Sequence, residues 1–451
     1  VALLTDLLQT EENMSRAFCI SSATAIAALA LAMPAALAAE PDWSAVPAHT
    51  VTLFYPGQSS YEWLRSPDHR RADRQVLDGQ ACVSCHEGEE ADMGGLIVSG
   101  ERLEPAPIDG KNGAVEIEIQ AAYDDDNLYL RFQWPTQLDR PGQMHDYMIY
   151  TAEGWKFYGG PRSRGSVRNG EEPPLYEDRL SVMVDDGKVP LFAEQGCWLT
   201  CHSSMRDMPE APSADEVRAH AVLGETFGES DVRKYLPESR IEPSTAWDEI
   251  RPAEEIAELK TLGHFLDLMQ WRAHRSNPVG MADDGYVLEY RLFDQGKNPF
   301  SWNVDRATMI PKFMFDETRV GVRSISVDDI GDSSKPHAII AEENAVAYDP
   351  DAGWQDGDIL PGRLVSREGA EGSAADNQNV QGAWDNSTWT VIWTRPLDTG
   401  HPDDKVLSEG ESYTIGLAVH DDNVTTRFHF VSFPFTLGIG KEADVEARRT
   451  E

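Results

Sequence analysis

Basic residues are scarce in this chain, and so are cysteines and long apolar runs. Its 451 residues hold 39 Lys and Arg against 77 Asp and Glu, a formal net charge of −38. Phosphate backbones and anionic lipid repel a polymer of that sign, which excludes nucleic acid and acidic membrane faces as partners. The acidic excess is spread along the whole chain, the pattern of a solvated surface, and the same charge would steer a basic protein partner toward it. Beyond the N-terminal stretch no apolar run reaches the roughly 20 residues needed to cross a bilayer, so no stable membrane insertion is expected. Gly-rich phosphate loops, the G-x-S-x-G elbow and the H-E-x-x-H helix are missing as well. That leaves no side-chain signature of nucleotide, serine-hydrolase or zinc-protease chemistry.

The N-terminus reads as an export signal. Met14-Ser15-Arg16 precedes an apolar, alanine-rich run from Ala17 to Ala32, and Ala36-Leu37-Ala38 supplies the small residues of a cleavage site. This is the layout of a secretory signal peptide. A membrane anchor is the competing reading, but the run is short and ends at Pro34. Residues 1–39 are therefore expected to be leader and upstream extension, with the mature protein in the periplasm. Cys19 leaves with the leader, so of five cysteines Cys82, Cys85, Cys197 and Cys201 remain.

Those four fall in two pairs, each closed by a histidine. Cys82-Val83-Ser84-Cys85-His86 is a C-x-x-C-H run, and Cys197-Trp198-Leu199-Thr200-Cys201-His202 has one residue more between the thiols. C-x-x-C-H is the attachment signature of c-type haem: the thiols add to the porphyrin vinyl groups and the imidazole becomes the proximal iron ligand. The longer spacing is rarer and carries less weight alone. Two disulfides or a four-thiolate zinc site would use the same sulfurs, yet both leave the paired histidines unexplained. The expectation is two covalently bound haem c groups, one at Cys82, Cys85 and His86 and one at Cys197, Cys201 and His202.

Organisation changes near residue 110. Residues 40–110 are rich in polar residues and proline, and predict a small loop-rich segment folded around the first haem. From Ala114, Val115, Ile117 and Ile119 alternate with Glu116, Glu118 and Gln120, and Leu128, Leu130 and Phe132 resume the alternation after an Asp-rich turn. That is a hairpin with one buried face. Strand-like runs recur at Leu180–Val184, Tyr286–Phe293, Trp389–Thr394, Tyr413–Val419 and Arg427–Phe433. Together they predict a mainly β fold, an antiparallel β-sandwich over residues 111–440 with a polar tail at 441–451. One long helix is expected from Pro252 to Arg275, and a loop excursion from Ser326 to Asp385.

The stretches EDRLSVMVDDG, WRAHRSNPVGMADDGYVLEYR, STWTVIWTRPL and YTIGLAVHDDNVTTRFHFVSFPF make residues 111–440 resemble a known group. It is the haem-binding domain of ethylbenzene dehydrogenase γ-subunits, the haem subunits of dimethyl sulfoxide reductase-like molybdoenzymes. The resemblance implies a sandwich holding haem between sheets and loops, and a role in passing electrons. Those subunits bind haem b through a methionine and a lysine. Here Cys197–His202 occupies the methionine's segment, and His429 stands at the lysine's position. The chain is thus closest in pattern to c-type, cytochrome c-552-like members with an added N-terminal haem.

The resemblance makes His202 and His429 the axial ligands of the sandwich haem, with His420 as competitor. For the N-terminal haem, His86 is proximal and His69 leads the distal candidates, ahead of His145 and Met93. His274, flanked by Arg272 and Arg275, is a further candidate ligand, and the two arginines are candidates for the haem propionates. The function expected is that of an exported dihaem cytochrome relaying single electrons to or from a respiratory oxidoreductase, a molybdoenzyme among the candidates. A haem enzyme with an open iron, of peroxidase or nitrogen-oxide reductase type, and a haem-based sensor stand as alternatives.

Overall fold

Alternating burial organises the chain into one large sheet. The computed structural model describes residues 40–450 apart from 71, 139–141, 143, 242–245, 294–295, 369 and 373–378; the expected export signal lies outside the described residues. Thirteen strands make up the sheet. In chain order they are β1 (His49–Phe54), β2 (Ala114–Tyr123), β3 (Asn127–Pro135), β4 (Arg179–Asp185), β5 (Leu266–Arg272), β6 (Tyr286–Val287), β7 (Arg291–Leu292), β8 (Asn379–Asp385), β9 (Thr388–Pro396), β10 (Ser412–His420), β11 (Phe430–Ser432), β12 (Phe435–Ile439) and β13 (Val445–Arg449). The spatial order is β8-β9-β3-β2-β1-β11-β10-β4-β5-β6-β7. β12 and β13 run from the first half of β10 to the end of β2, closing a side circuit. Nearly all pairings are antiparallel, as the sandwich expectation requires.

The β2–β3 hairpin follows its alternation. Ile117, Ile119 and Ala121 are buried while Glu116 and Glu118 face out. The turn is held by Asp124, whose Oδ1 accepts the Asp126 and Asn127 N–H groups at 2.8 and 2.7 Å. Leu180, Val182, Met269, Trp271, Leu417 and Val419 join this core from β4, β5 and β10. Trp134, Trp271 and Trp389 meet there with ring centres 4.9–6.5 Å apart. Gly382 on β8 is forced by this packing, because a Cβ there would lie 2.2 Å from the Trp271 ring.

Several expectations need correction. The helix expected over Pro252–Arg275 spans only Ala253–Leu262 and ends at Gly263, which takes the left-handed conformation (φ +83°) of a C-terminal cap. Beyond it Leu266–Arg272 forms β5, buried on both faces, so neither His264 nor His274 is helical. The 40–110 segment is not merely loops and short helices: β1 pairs with β2 and β11 in the middle of the sheet. Arg427–Phe433 is split into a 3-10 turn (Thr426–Phe428) and β11, leaving His429 at the junction. Tyr286–Phe293 is a tight hairpin of two short strands. The 326–385 excursion contains strands, including Asp358–Pro361 of a separate four-stranded sheet that also takes in Tyr147–Thr151 and Gly154–Tyr158. Residues 41–451 form one compact unit.

Candidate functional site

The first cysteine pair opens onto a cavity of about 510 Å³ between β1 and the N-terminal helices. Ser60 caps the helix Tyr61–Leu64, its hydroxyl accepting the Trp63 N–H at 3.1 Å. Cys85 and His86 lie on the helix Val83–His86, with Cys82 as its cap, and Met93 on the helix Glu90–Val98. Phe54, Leu64, Val76, Ile97, Trp198 and Phe433 give the cavity an apolar wall, into which Cys82, Cys85, His69, His86 and Met93 also face.

Two imidazoles share this cavity. The rings of His69 and His86 have centres 6.1 Å apart and planes inclined by 19°. His69 Nδ1 lies 3.0 Å from the Leu64 carbonyl, and His86 Nδ1 lies 3.0 Å from the Glu89 carboxylate. Each contact fixes a tautomer with Nδ1–H donating, which leaves the Nε2 lone pairs for a metal. A metal bonded at about 2 Å to one nitrogen of each ring needs ring centres about 6 Å apart. The spacing fits. Burial also holds His69 below the usual imidazole range, favouring the neutral form that ligates. Trp63 packs against the His69 ring at 5.0 Å, a contact that no sequence signal announced.

Of the second pair Cys197, but not Cys201, borders a larger cavity of about 910 Å³. Its floor is the outer face of β10, β4 and β5, the residues alternating with the core set. Cross-strand pairing aligns them in rows: Gly416, Met183 and Leu268; then Ala418, Ser181 and Gln270; then His420, Arg179 and Arg272. Cys197, Met205, Lys234, His145 and His429 also line it. His420 and His429 lie side by side, ring centres 4.7 Å apart, too close for one metal to sit between them. His429 Nδ1 donates to the Thr426 carbonyl, and burial pushes its pKa down to about 3. His429 is therefore a neutral imidazole with Nε2 left over. Burial lowers His420 as well, and its Nδ1 has no hydrogen-bond partner. Asp422, Asn423 and Thr426 all have positive φ (68°, 56° and 54°), so backbone strain gathers around these two histidines.

His202 is not among the residues lining this cavity. Its ring lies flat on Tyr235 at 3.7 Å. Nδ1 meets the Glu62 carboxylate at 2.7 Å and Nε2 the Tyr235 carbonyl at 3.0 Å. Both partners are acceptors, whereas a neutral imidazole has one N–H. Against burial, which raises it, the bonds from His202 and the Ser203 N–H hold Glu62 below the usual carboxylate range. Glu62, like Tyr235 and Lys234, had no sequence signature. Burial pushes the Cys82 and Cys201 thiols up to about 11.

The other candidates fall elsewhere. His145 lines the second cavity, not the first, with Nε2 3.0 Å from Asp146. His274 lines neither; its ring is 5.9 Å from Tyr147 and its N–H bonds Glu177 at 3.2 Å. Arg272 and Arg275 are committed to buried acids, Arg272 Nη2 to Asp283 at 2.8 Å and Arg275 Nη2 to Glu177 at 2.6 Å. Among the described residues the four cysteines are unbridged. Among the described residues no three metal-ligating side chains converge on them; the one such group found there is Asp267, Asp284 and Asp404. No described helix is long and apolar enough to cross a membrane.

Comparison with known proteins places the chain in a family. The profile of the ethylbenzene dehydrogenase family matches residues 40–432. Cytochrome c-552 of Stutzerimonas stutzeri is 27% identical over 426 residues, covering 94% of this chain and 96% of that protein. Cytochrome c-551 of Rhodocyclus tenuis is 30% identical over 173 residues, 38% of this chain and 58% of that protein.

Proposed function

Because the chain belongs to the ethylbenzene dehydrogenase family, we propose that it is an exported c-type cytochrome with two covalently attached haems, passing single electrons to or from a respiratory oxidoreductase. The observation that carries this reading is the His69–His86 pair, two imidazoles at metal-sandwiching distance beside Cys82 and Cys85. The similarity to a cytochrome c-552 along nearly the whole chain supports it. Each haem, when bound, supplies a one-electron Fe(III)/Fe(II) couple whose potential follows from its axial ligands and burial.

The chain's own residues do the rest. His86 and His69 would hold the iron of the first site, and the Glu89 carboxylate would make the His86 ring a stronger donor. Phe54, Leu64, Trp198 and Phe433 give that site an apolar wall on the protein side. At the second, Cys197 and Cys201 would attach the group and His429 would present Nε2 to it. His202 has the carboxylate support of a ligand at Nδ1, and it reaches iron only by giving up the Tyr235 carbonyl. The acidic surface steers a basic partner. Two saturated irons suit transfer without bond chemistry.

The side-by-side placement of His420 and His429, with His202 turned to Tyr235, favours one second reading, a sandwich iron with an open face acting on a small ligand. Carbon monoxide separates the two. The mass of the exported protein should exceed the chain by two haems, and the reduced protein should ignore carbon monoxide. His69→Ala should open the first haem to it, while His145→Ala and Met93→Ala leave that haem low-spin. An unchanged spectrum in His69→Ala would sink the ligand assignment, and rapid binding by the wild type would favour the open iron.

A further inference from the structure

The floor of the second cavity changes character along its length. At one end Gly416, Met183 and Leu268 are apolar, and a Cβ on Gly416 would sit 2.9 Å from Cys197 Sγ. At the other end His420, Arg179 and Arg272 form the last row. Those rows are separated by four residues on each strand, about 13 Å. Ala418 and Ser181 keep the middle low, so a flat group can lie across it. The floor is thus apolar beside the cysteine, where the one nearby wall cation, Lys234, bonds Thr200 at 3.3 Å, and cationic opposite, in a protein whose net charge is −38.

Most cations at that end are already used. Glu177 takes Arg275 and, at 3.2 Å, Arg179 Nε; Asp283 takes Arg272. Two buried donors on the cavity wall nonetheless have no hydrogen-bond acceptor, Arg179 Nη2 and Arg291 Nε. Arg291 reaches Gln270 at 2.7 Å through Nη2 and stands 3.9 Å from Asp283, which leaves its Nε edge unmatched. Buried guanidinium N–H groups without acceptors are costly, and a carboxylate is the planar anion that satisfies them.

We infer that Arg179 and Arg291 receive a carboxylate at this end of the cavity, the propionate edge of the haem attached at Cys197. The inference rests on the haem reading above and adds the group's orientation: vinyl edge toward Gly416, propionates toward the arginines. It also displaces Arg272 and Arg275, the pair that the sequence suggested, because buried acids already hold them. Cations at the propionates offset negative charge beside the iron and so favour the reduced state.

The test uses the full-length holoprotein in a mediator-buffered optical redox titration. Arg291→Gln should lower the reduction equilibrium constant of one haem about tenfold, 59 mV for one electron, and leave the other wave in place. Arg291→Lys should restore part of that shift, and Arg179→Gln should move the same wave. Two unmoved waves in Arg291→Gln and Arg179→Gln at full haem content would overturn the clamp. The propionate assignment would also fall if added inorganic phosphate shifted that wave in the wild type but not in the variants, since the arginines would then serve a free oxyanion. A wild-type mass lacking haem at Cys197 would overturn the underlying reading instead, and the clamp with it.

Discussion

Glu104→Gln should be among the most damaging conservative changes in the protein. Glu104 is 2% exposed and belongs to the N-terminal segment, while Arg427 belongs to the turn that carries His429. Arg427 Nη1 and Nη2 both donate to Glu104, the latter at 3.0 Å, and Nη1 also reaches Tyr55 Oη at 3.1 Å. The Tyr55 phenol donates to the same carboxylate, and burial pushes its pKa up, so it stays protonated. The Ala106 N–H adds a fourth bond at 3.0 Å. An amide at residue 104 turns an N–H₂ toward one of these donors and leaves the guanidinium buried without its charge partner. Breaking one side of such a pair costs about 3–5 kcal/mol. That cost comes from the stranded buried charge, so removing the guanidinium as well, in Glu104→Gln/Arg427→Met, should recover most of the loss. The assay is a double-mutant cycle by urea denaturation at constant m-value, followed by far-ultraviolet circular dichroism. A single-variant loss below about 1 kcal/mol, the range of exposed pairs, would refute the argument. So would a double variant no more stable than Glu104→Gln.

Two further outcomes follow from the core. Gly382→Ala drives a methyl into the Trp271 ring at 2.2 Å and should cost about 1–3 kcal/mol by overpacking; an unchanged melting temperature would show that β8 can move away. Burial, working against the pull of Arg395, holds the Asp267 carboxyl above the usual range. The folded state therefore keeps a proton that the unfolded chain loses above about pH 4, and stability should fall as pH rises from there toward neutrality. Asp267→Asn should flatten that fall in urea midpoints measured across the range, and an equally steep profile would remove Asp267 as its source.

Local chemistry was readable from sequence, and long-range chemistry was not. The Cys-His runs are contiguous, so Cys82, Cys85 and His86 reach one cavity by local geometry alone. The β2–β3 hairpin was equally legible because its alternation and its turn residues agree. The helix over 252–275 was overextended because apolar residues of period near four run on into a strand whose apolar residues lie on both faces. Gly263 marked the break. β1 was missed because its Thr-Val-Thr-Leu alternation is only six residues long and stands alone among polar loops. The cavity's occupants depended on pairings no spacing encodes: His420, Arg179 and Arg272 are neighbours only through sheet register. Glu62 and Tyr235, which hold His202, come from separate parts of the chain and meet only after folding.

The seam between β1 and β11 has a consequence for maturation. Leu53 pairs with Ser432, so the middle of the sheet cannot knit until almost the entire polypeptide has emerged, a high-contact-order arrangement that delays closure. Cys197 is shut inside the finished protein, whereas Cys85 stays at the surface. Once the sheet has closed, thioether chemistry can reach the inner sulfur only through its cavity, while the outer one remains reachable from the surface. The seam acts as a clock.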